Sequence, residues 1–385
     1  MTREKENYNA FLLHFLERLN GCESIEKKIT DTQFTDANLK AAWADFHPEV
    51  GAIVVPETTK DAATKAVKAA KSDAAKFEKD KPTRLRISKR GDASMKISVF
   101  YEHIEKACEQ TKKPLEEVLE HVKKSGIDGI EMDYDMLSSE DDEQSILTSL
   151  KKARLVISSI YGFCHLDSDP EEQKCLDVID QAAKNGCSRV LLVPGFFSEA
   201  DAKIFGESAD DWEKTVAFMQ SNQVVQNIMA GLRRAVAHAK EKNVIVTLED
   251  FDSTLSPCSR INALKWFMEQ VPGLCWTLDA GNFAYSSENI LDAYEVLRTY
   301  TAHVHCKDRG TENPTSNGIT GTYNKGLRPV SAGDGYIPLD SILSYLKRDG
   351  YEGWLAVEQF GLENQYDGIV RSAEYLMKGE FNTWR

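Results

Sequence analysis

The chain has 385 residues, 42% hydrophobic and 28% charged, the composition of a globular protein with a large core. Its 61 acidic residues outnumber 47 basic ones, and a formal charge of −14 would repel a phosphate backbone, which argues against a nucleic-acid partner. No apolar run is long enough to cross a bilayer, so no membrane partner is expected. The first residues, MTREKENYNAFLLHFLERLNG, bracket a short apolar patch with charges, unlike a secretory signal; the expected location is cytoplasmic. Eight scattered cysteines form no CxxC pair, and several sit in apolar text such as Leu274-Cys275-Trp276. They read as small core residues of a reducing compartment.

Residues 1–94 read as a mainly helical extension and linker. Tyr8 to Leu19 has helical periodicity, Thr59 to Phe77 is Ala/Lys/Asp-rich, and EKDKPTRLRISKRGDASM has the polar, Pro- and Gly-containing texture of a linker. No chemistry-bearing motif stands in this part. Residues 95–385 form the second domain.

From Met95 onward, short apolar runs alternate with long amphipathic segments. The runs are Lys96–Phe100, Gly129–Met132, Leu155–Ile160, Arg189–Val193, Val244–Leu248, Leu274–Leu278, Ala302–His305 and Trp354–Val357. Helical spacing is clear in Pro114–Ser125, Glu140–Ala153, Pro170–Asn185, Ser259–Glu269 and Gly368–Met377. The longest helix is expected over Asp211–Asn243, with Ser208 in a near-capping position. Eight strand-then-helix units imply parallel strands, and these close most naturally into an α/β (β/α)8 TIM barrel. A phosphate-cradling GxGxxG after the first run, which an open doubly wound sheet would use, is missing.

In such a barrel the C-terminal strand ends form the active face. The second run ends in Glu131-Met132-Asp133, the third leads to His165, and the fifth ends in Glu249-Asp250. The sixth ends in Asp279-Ala280-Gly281-Asn282, the seventh in His305-Cys306-Lys307-Asp308 and the eighth in Glu358-Gln359. Neighbouring strands five to eight thus deliver Glu, Asp, His and Glu to one rim, a donor set for one divalent cation: Mn²⁺ first, with Co²⁺, Zn²⁺ or Mg²⁺ as alternatives. A cation would also relieve the repulsion among three carboxylates. Trp276 and Trp354 read as packing residues, while Phe196, Phe197, Phe251 and Phe283 are candidates for an apolar pocket wall. The Gly/Asn/Thr-rich segment between Gly310 and Gly333 reads either as a cover over substrate, offering Lys325 and Arg328 to an anionic group, or as a surface excursion.

The segments VTLEDF, LDAGNF, HVHCKDRG and AGDGYIPLDSILSYLKRDGYEGWLAVEQF resemble the sugar phosphate isomerase/epimerase superfamily of xylose isomerase-like TIM barrels. That group includes ketose 3-epimerases, inosose dehydratases and hydroxypyruvate isomerases, and the resemblance covers roughly residues 95–378. It implies Glu249, Asp279, His305 and Glu358 as metal ligands, with Glu249 and Glu358 also moving the proton. It makes His303, one inward step deeper on the strand, a supporting residue. Substrate contacts are expected from His165, Asn282, Lys307, Arg309 and Glu131. Glu131 could instead pair with a neighbouring base, and Lys307 with Asp308. Asn282 stands where ketose 3-epimerases carry a histidine, and Lys307-Asp308 resembles the HxKD form of inosose dehydratase-like members. The implied activity is isomerisation or epimerisation of a sugar or polyol through a metal-stabilised enediolate. A lyase of the same group is the alternative. An endonuclease-IV-like DNA repair enzyme would need more strand-end histidines than a chain with eight in all supplies. A non-catalytic barrel would leave the ligand set without a use. The implied partner is a small sugar or polyol, and the roles open to the extension are self-association into a homo-oligomer or a lid over a neighbouring barrel.

Overall fold

A computed structural model describes residues 95–137, 139–310 and 327–381. The expected extension over 1–94, and most of the expected cover between Gly310 and Gly333, lie outside these residues. Nine strands are present among them: β1 (Lys96–Phe100), β2 (Gly129–Asp133), β3 (Val156–Phe163), β4 (Arg189–Val193), β5 (Ile245–Glu249), β6 (Cys275–Asp279), β7 (Thr301–Gly310), β8 (Arg328–Val330) and β9 (Trp354–Glu358). Strands β1 to β7 pair in sequence, all parallel. β7 then pairs with β9 and β9 returns to β1, closing an eight-stranded barrel. The expected (β/α)8 architecture is therefore the observed one.

The strands are almost wholly buried because helices cover them outside and side chains fill the inside, as parallel barrels require. The helices that matter here are α1 (Tyr101–Thr111), which continues directly from β1, α2 (Leu115–Lys124) and α3 (Glu140–Ala153). α3 starts where its sequence says it should: the Ser139 side chain accepts the Asp142 amide proton.

Three expectations are corrected. The single helix over Asp211–Asn243 is two helices, Trp212–Ser221 and Gln223–Lys242. Asn222 between them takes extended backbone angles and accepts the Val225 amide with its side chain, so it caps the second helix and ends the first. Ser208 does not cap the start of the first helix either: Asp211 accepts the Lys214 amide, while Ser208 ends the preceding helix Glu199–Glu207 and is bonded to Thr215. The seventh strand also does not stop at His305. It runs on to Gly310, and its last three residues pair antiparallel with β8.

Candidate metal centre and barrel mouth

Strand register brings the acids together. Glu249 lies opposite Thr277, so Asp279 stands one inward step higher; Asp279 lies opposite His305, and Lys307 opposite Glu358. Just below, the hydroxyls of Thr247 and Thr277 meet at 2.7 Å and close the floor between β5 and β6. One ligand-type atom from each of Glu249, Asp279, His305 and Glu358 lies within 4.8 Å of all the others. Three of these side chains are buried and Glu249 nearly so. At about 4 Å and an effective dielectric near 20, each carboxylate pair repels by roughly 4 kcal/mol. Such a grouping is not one that stabilises a fold by itself.

His305 shows what the cluster asks for. Its Nδ1 lies 3.2 Å from Glu249 Oε2, 3.0 Å from Glu358 Oε2 and 3.9 Å from Asp279 Oδ2, while Nε2 is 3.1 Å from Glu131 Oε1. One N–H on Nδ1 cannot serve three carboxylates. Glu358 Oε2 and Asp279 Oδ2 accept no hydrogen bond although both are buried. Burial disfavours charge on the imidazole, yet Glu131 and the surrounding carboxylates raise its pKa well above the ordinary range. Burial holds Glu249 and Asp279 above the usual carboxylate range. Burial acts on Glu358 too, but Lys307 and His305 overcome it and hold that carboxyl well below the usual range. The residues fit a divalent ion: it would replace the proton on Nδ1 among the same oxygens, with Nε2–H retained by Glu131.

Glu131 with His303 and His305 is a second trio spaced for a cation. Its contacts are explained without one. The Glu131 oxygens are 2.7 Å from His303 Nε2 and 3.1 Å from His305 Nε2, and neither is left without a partner. The buried Glu131 thus takes the other role considered for it, pairing with neighbouring bases, and it fixes the two rings. Cys306 points the other way on β7, and burial pushes its thiol up to about 12.

Lys307 does not pair with Asp308. Its Nζ lies 2.6 Å from Glu358 Oε1, 3.2 Å from Asp279 Oδ2 and 2.6 Å from Asn282 Oδ1. Burial works against the charge, but Asp279 and Glu358 raise the pKa well above that of an ordinary lysine. Asn282 donates its Nδ2 to the Asp250 carbonyl at 2.6 Å, so both ends of its amide are held by protein. Gly281 lies against Lys307: a Cβ there would stand 2.9 Å from Lys307 Cγ. Asp308 instead accepts the amides of Arg309, Gly333, Gly335 and Ile337, and pins the turn after β8 to the end of β7. Only glycine fits at 335, where a Cβ would sit 2.1 Å from Asp308 Oδ1.

The remaining expected residues are spread more widely. His165 is exposed, and its backbone amide donates to Glu172. Arg309 is fully buried on the inward face of β7. Phe196 and Phe251 pack together at 5.4 Å, with Phe163 against Phe251 at 6.3 Å, whereas Phe197 and Phe283 lie in the core. Trp276 is buried, and its indole donates to Asp250. Several contributors escaped the sequence reading. Asp252 lies 3.6 Å from Lys307 Nζ, and the ring of Phe100 stands edge-on to His305 at 5.1 Å. Asp252 had a signal, being the third acid in LEDFD; Phe100 had none beyond its place at a strand end.

A closed parallel barrel with an acid-and-imidazole cluster at its C-terminal mouth defines a class of protein, and similarity narrows it. The family described as xylose isomerase-like TIM barrel matches residues 119–378, and the chain belongs to that family. Among solved structures, the barrel is similar to a probable 3-DHS dehydratase from Bacillus anthracis (19% identity, TM-score 0.53), covering 74% of this chain and 99% of that one. It is likewise similar to a xylose isomerase-like TIM barrel protein from Mycobacterium smegmatis in complex with magnesium (16%, TM-score 0.54; 76% and 98% covered). A third is 3-keto-D-glucoside 4-epimerase from E. coli (15%, TM-score 0.53; 74% and 100%). Curated relatives match over shorter stretches. Inosose dehydratase of Clostridium botulinum is 34% identical over 109 residues, 26% of this chain and 34% of that protein. The foldase protein PrsA of Lactococcus lactis is 59% identical over 59 residues, 14% of this chain and 19% of that protein. The chain thus spans about a third or less of the curated relatives it matches. Among the described residues, no helix is long and apolar enough to cross a membrane.

Proposed function

We propose that the protein is a divalent-metal-dependent isomerase or epimerase acting on a sugar or polyol by proton transfer beside a carbonyl. The observation that carries this reading is the cluster of Glu249, Asp279, His305 and Glu358, three buried or nearly buried carboxylates gathered around one imidazole and one ammonium. A divalent ion held by these four would act as a Lewis acid on substrate oxygens. Glu249 and Glu358 each contribute a ligand-type oxygen to the cluster, and one would take the proton from carbon while the other returns it. Lys307 would remain cationic between Glu358 and Asp279 and orient a substrate oxygen. Glu131 would keep His305 in one tautomer. Phe100, packed against His305, would keep water off the reacting face.

Lysine in the cluster, and asparagine where ketose 3-epimerases carry histidine, favour a second reading. With the likeness to inosose dehydratase, they support loss of water after the same proton abstraction. The test is to incubate the protein and Mn²⁺ with ketoses, inososes and 3-keto-sugars in deuterated water. Deuterium in recovered sugar of unchanged composition supports isomerisation, and a product lighter by one water with a conjugated-enone absorbance supports the lyase. No exchange with any substrate would overturn both.

A further inference from the structure

On β7, His303, His305, Lys307 and Arg309 alternate with residues facing outward, so all four point into the barrel. The first three have partners: Glu131 for the two rings, and Glu358, Asp279 and Asn282 for the ammonium. Arg309 does not. Its side chain is 0% exposed, and Nε, Nη1 and Nη2 all lack a hydrogen-bond acceptor among the described residues. The nearest acid, Asp252 Oδ2, lies 4.0 Å from Nη2 and is shared with Lys307 at 3.6 Å. The Arg309 guanidinium lies over the ring of Tyr285, 5.8 Å from its centre, and the Tyr285 hydroxyl is also buried without a partner.

A guanidinium stays charged at any physiological pH, and burying it without acceptors is among the costlier arrangements a fold can keep. Arginines placed for structure look different. Arg234 donates to the Glu171 carbonyl and carboxylate and to the Glu172 carbonyl. At Arg309, two side chains in contact both carry buried donors that find no acceptor among the described residues. This contact adjoins the cluster, since Asp252 links Arg309 to Lys307 and Lys307 touches Glu358.

We propose that Arg309 and Tyr285 form an oxyanion subsite beside the metal centre, so that the substrate is an acidic sugar or polyol derivative carrying a carboxylate or a phosphate. The planar fork of Arg309 suits either group through paired hydrogen bonds, and Tyr285 adds a third donor. The location rests on the proposed isomerase reading; the anion binding itself needs no reaction.

The test uses the full chain with Mn²⁺ and three probes, D-fructose, D-fructose 6-phosphate and 5-keto-D-gluconate, each titrated in a calorimeter. At least one anionic probe should bind tighter than the neutral sugar by roughly tenfold or more, the worth of a charge-assisted hydrogen-bond pair. Whichever binds tighter identifies the oxyanion. R309M should remove the preference and Y285F should reduce it, with Mn²⁺ affinity unchanged in both. In buffer free of oxyanions, R309M should melt no lower than wild type, because it removes an unpaired buried charge. Equal affinity for all three probes, a preference that survives R309M, or a lowered melting temperature in R309M would each overturn the subsite. Preference for an anionic probe without deuterium exchange in any substrate would sink the isomerase reading and leave the subsite standing.

Discussion

The two halves of the barrel mouth are built from different chemistry. Strands β5, β6, β7 and β9 contribute Glu249, Asp279, His305, Lys307, Arg309 and Glu358, all in or beside one cluster. Strands β1 and β3 contribute Phe100, Tyr161 and Phe163, whose rings touch one another in series. The aromatic half is locally consistent with the edge of a folded core: Phe100 and Tyr161 are buried, Phe163 is exposed at the rim, and the rings pack at ordinary distances. The charged half breaks that consistency, with three buried or nearly buried acids sharing one imidazole and one ammonium, and a guanidinium without a hydrogen-bond acceptor among the described residues. Departures of this kind mark functional sites, where a barrel gives up stability for a pre-formed constellation.

The largest effect that would sharpen this contrast comes from the acids themselves. E249Q and E358Q should each lower turnover by roughly 10²–10⁴-fold, the range for loss of a general acid or base. Deuterium exchange into substrate reads this directly, and a loss below about tenfold in both would make them ligands only. Next is the ion. Saturating Mn²⁺ at about 100 times its Kd should stabilise the chain by roughly 2.7 kcal/mol, seen as a rise in Tm that EDTA reverses. E131Q, acting from behind His305, should weaken Mn²⁺ binding about 10–100-fold in a calorimetric titration.

Smaller effects belong to groups outside the cluster. D308N should cost about 1–3 kcal/mol in urea unfolding, because the amides bonded to Asp308 include those of the buried Arg309 and Ile337, which stand to lose an acceptor. On the aromatic side, Glu102 accepts a hydrogen bond from the Tyr161 hydroxyl, and burial with nearby Asp133 and Glu131 raises its pKa to about 8. A carboxyl with its folded pKa above the unfolded value stabilises the protein at low pH. That contribution fades as pH rises from near 4.5 through about 8. E102Q should flatten the fall in Tm across this window; an unchanged slope would place the titration elsewhere.

Much of the molecule was legible because a parallel barrel writes itself in period and order. Each of the eight barrel strands was visible as an apolar run, unlike β8, and the polar residues closing those runs include Glu249, Asp279, His305 and Glu358. The misses have physical causes. Asn222 looked like a mid-helix residue because helical spacing continues on both sides, and only its side-chain bond to Val225 reveals the break. Lys307 and Asp308 looked like a pair because neighbours in sequence invite pairing. Successive strand residues face opposite ways, so they part company: one joins Glu358, the other caps the turn at Gly335.

Hydrophobic period and chain order are local properties, and they were enough to specify the barrel, the order of its strands and the residue types at each strand end. Which of those polar residues meet, and which stay without partners, was settled only by assembly. Register set Asp279 opposite His305 and Lys307 opposite Glu358. Closure of the ring brought Glu131 from β2 under the histidines of β7, across 174 residues of chain. Hydrogen-bond satisfaction is a property of all the elements around an atom, and the unpaired guanidinium of Arg309 therefore has no signature in the text of β7 alone.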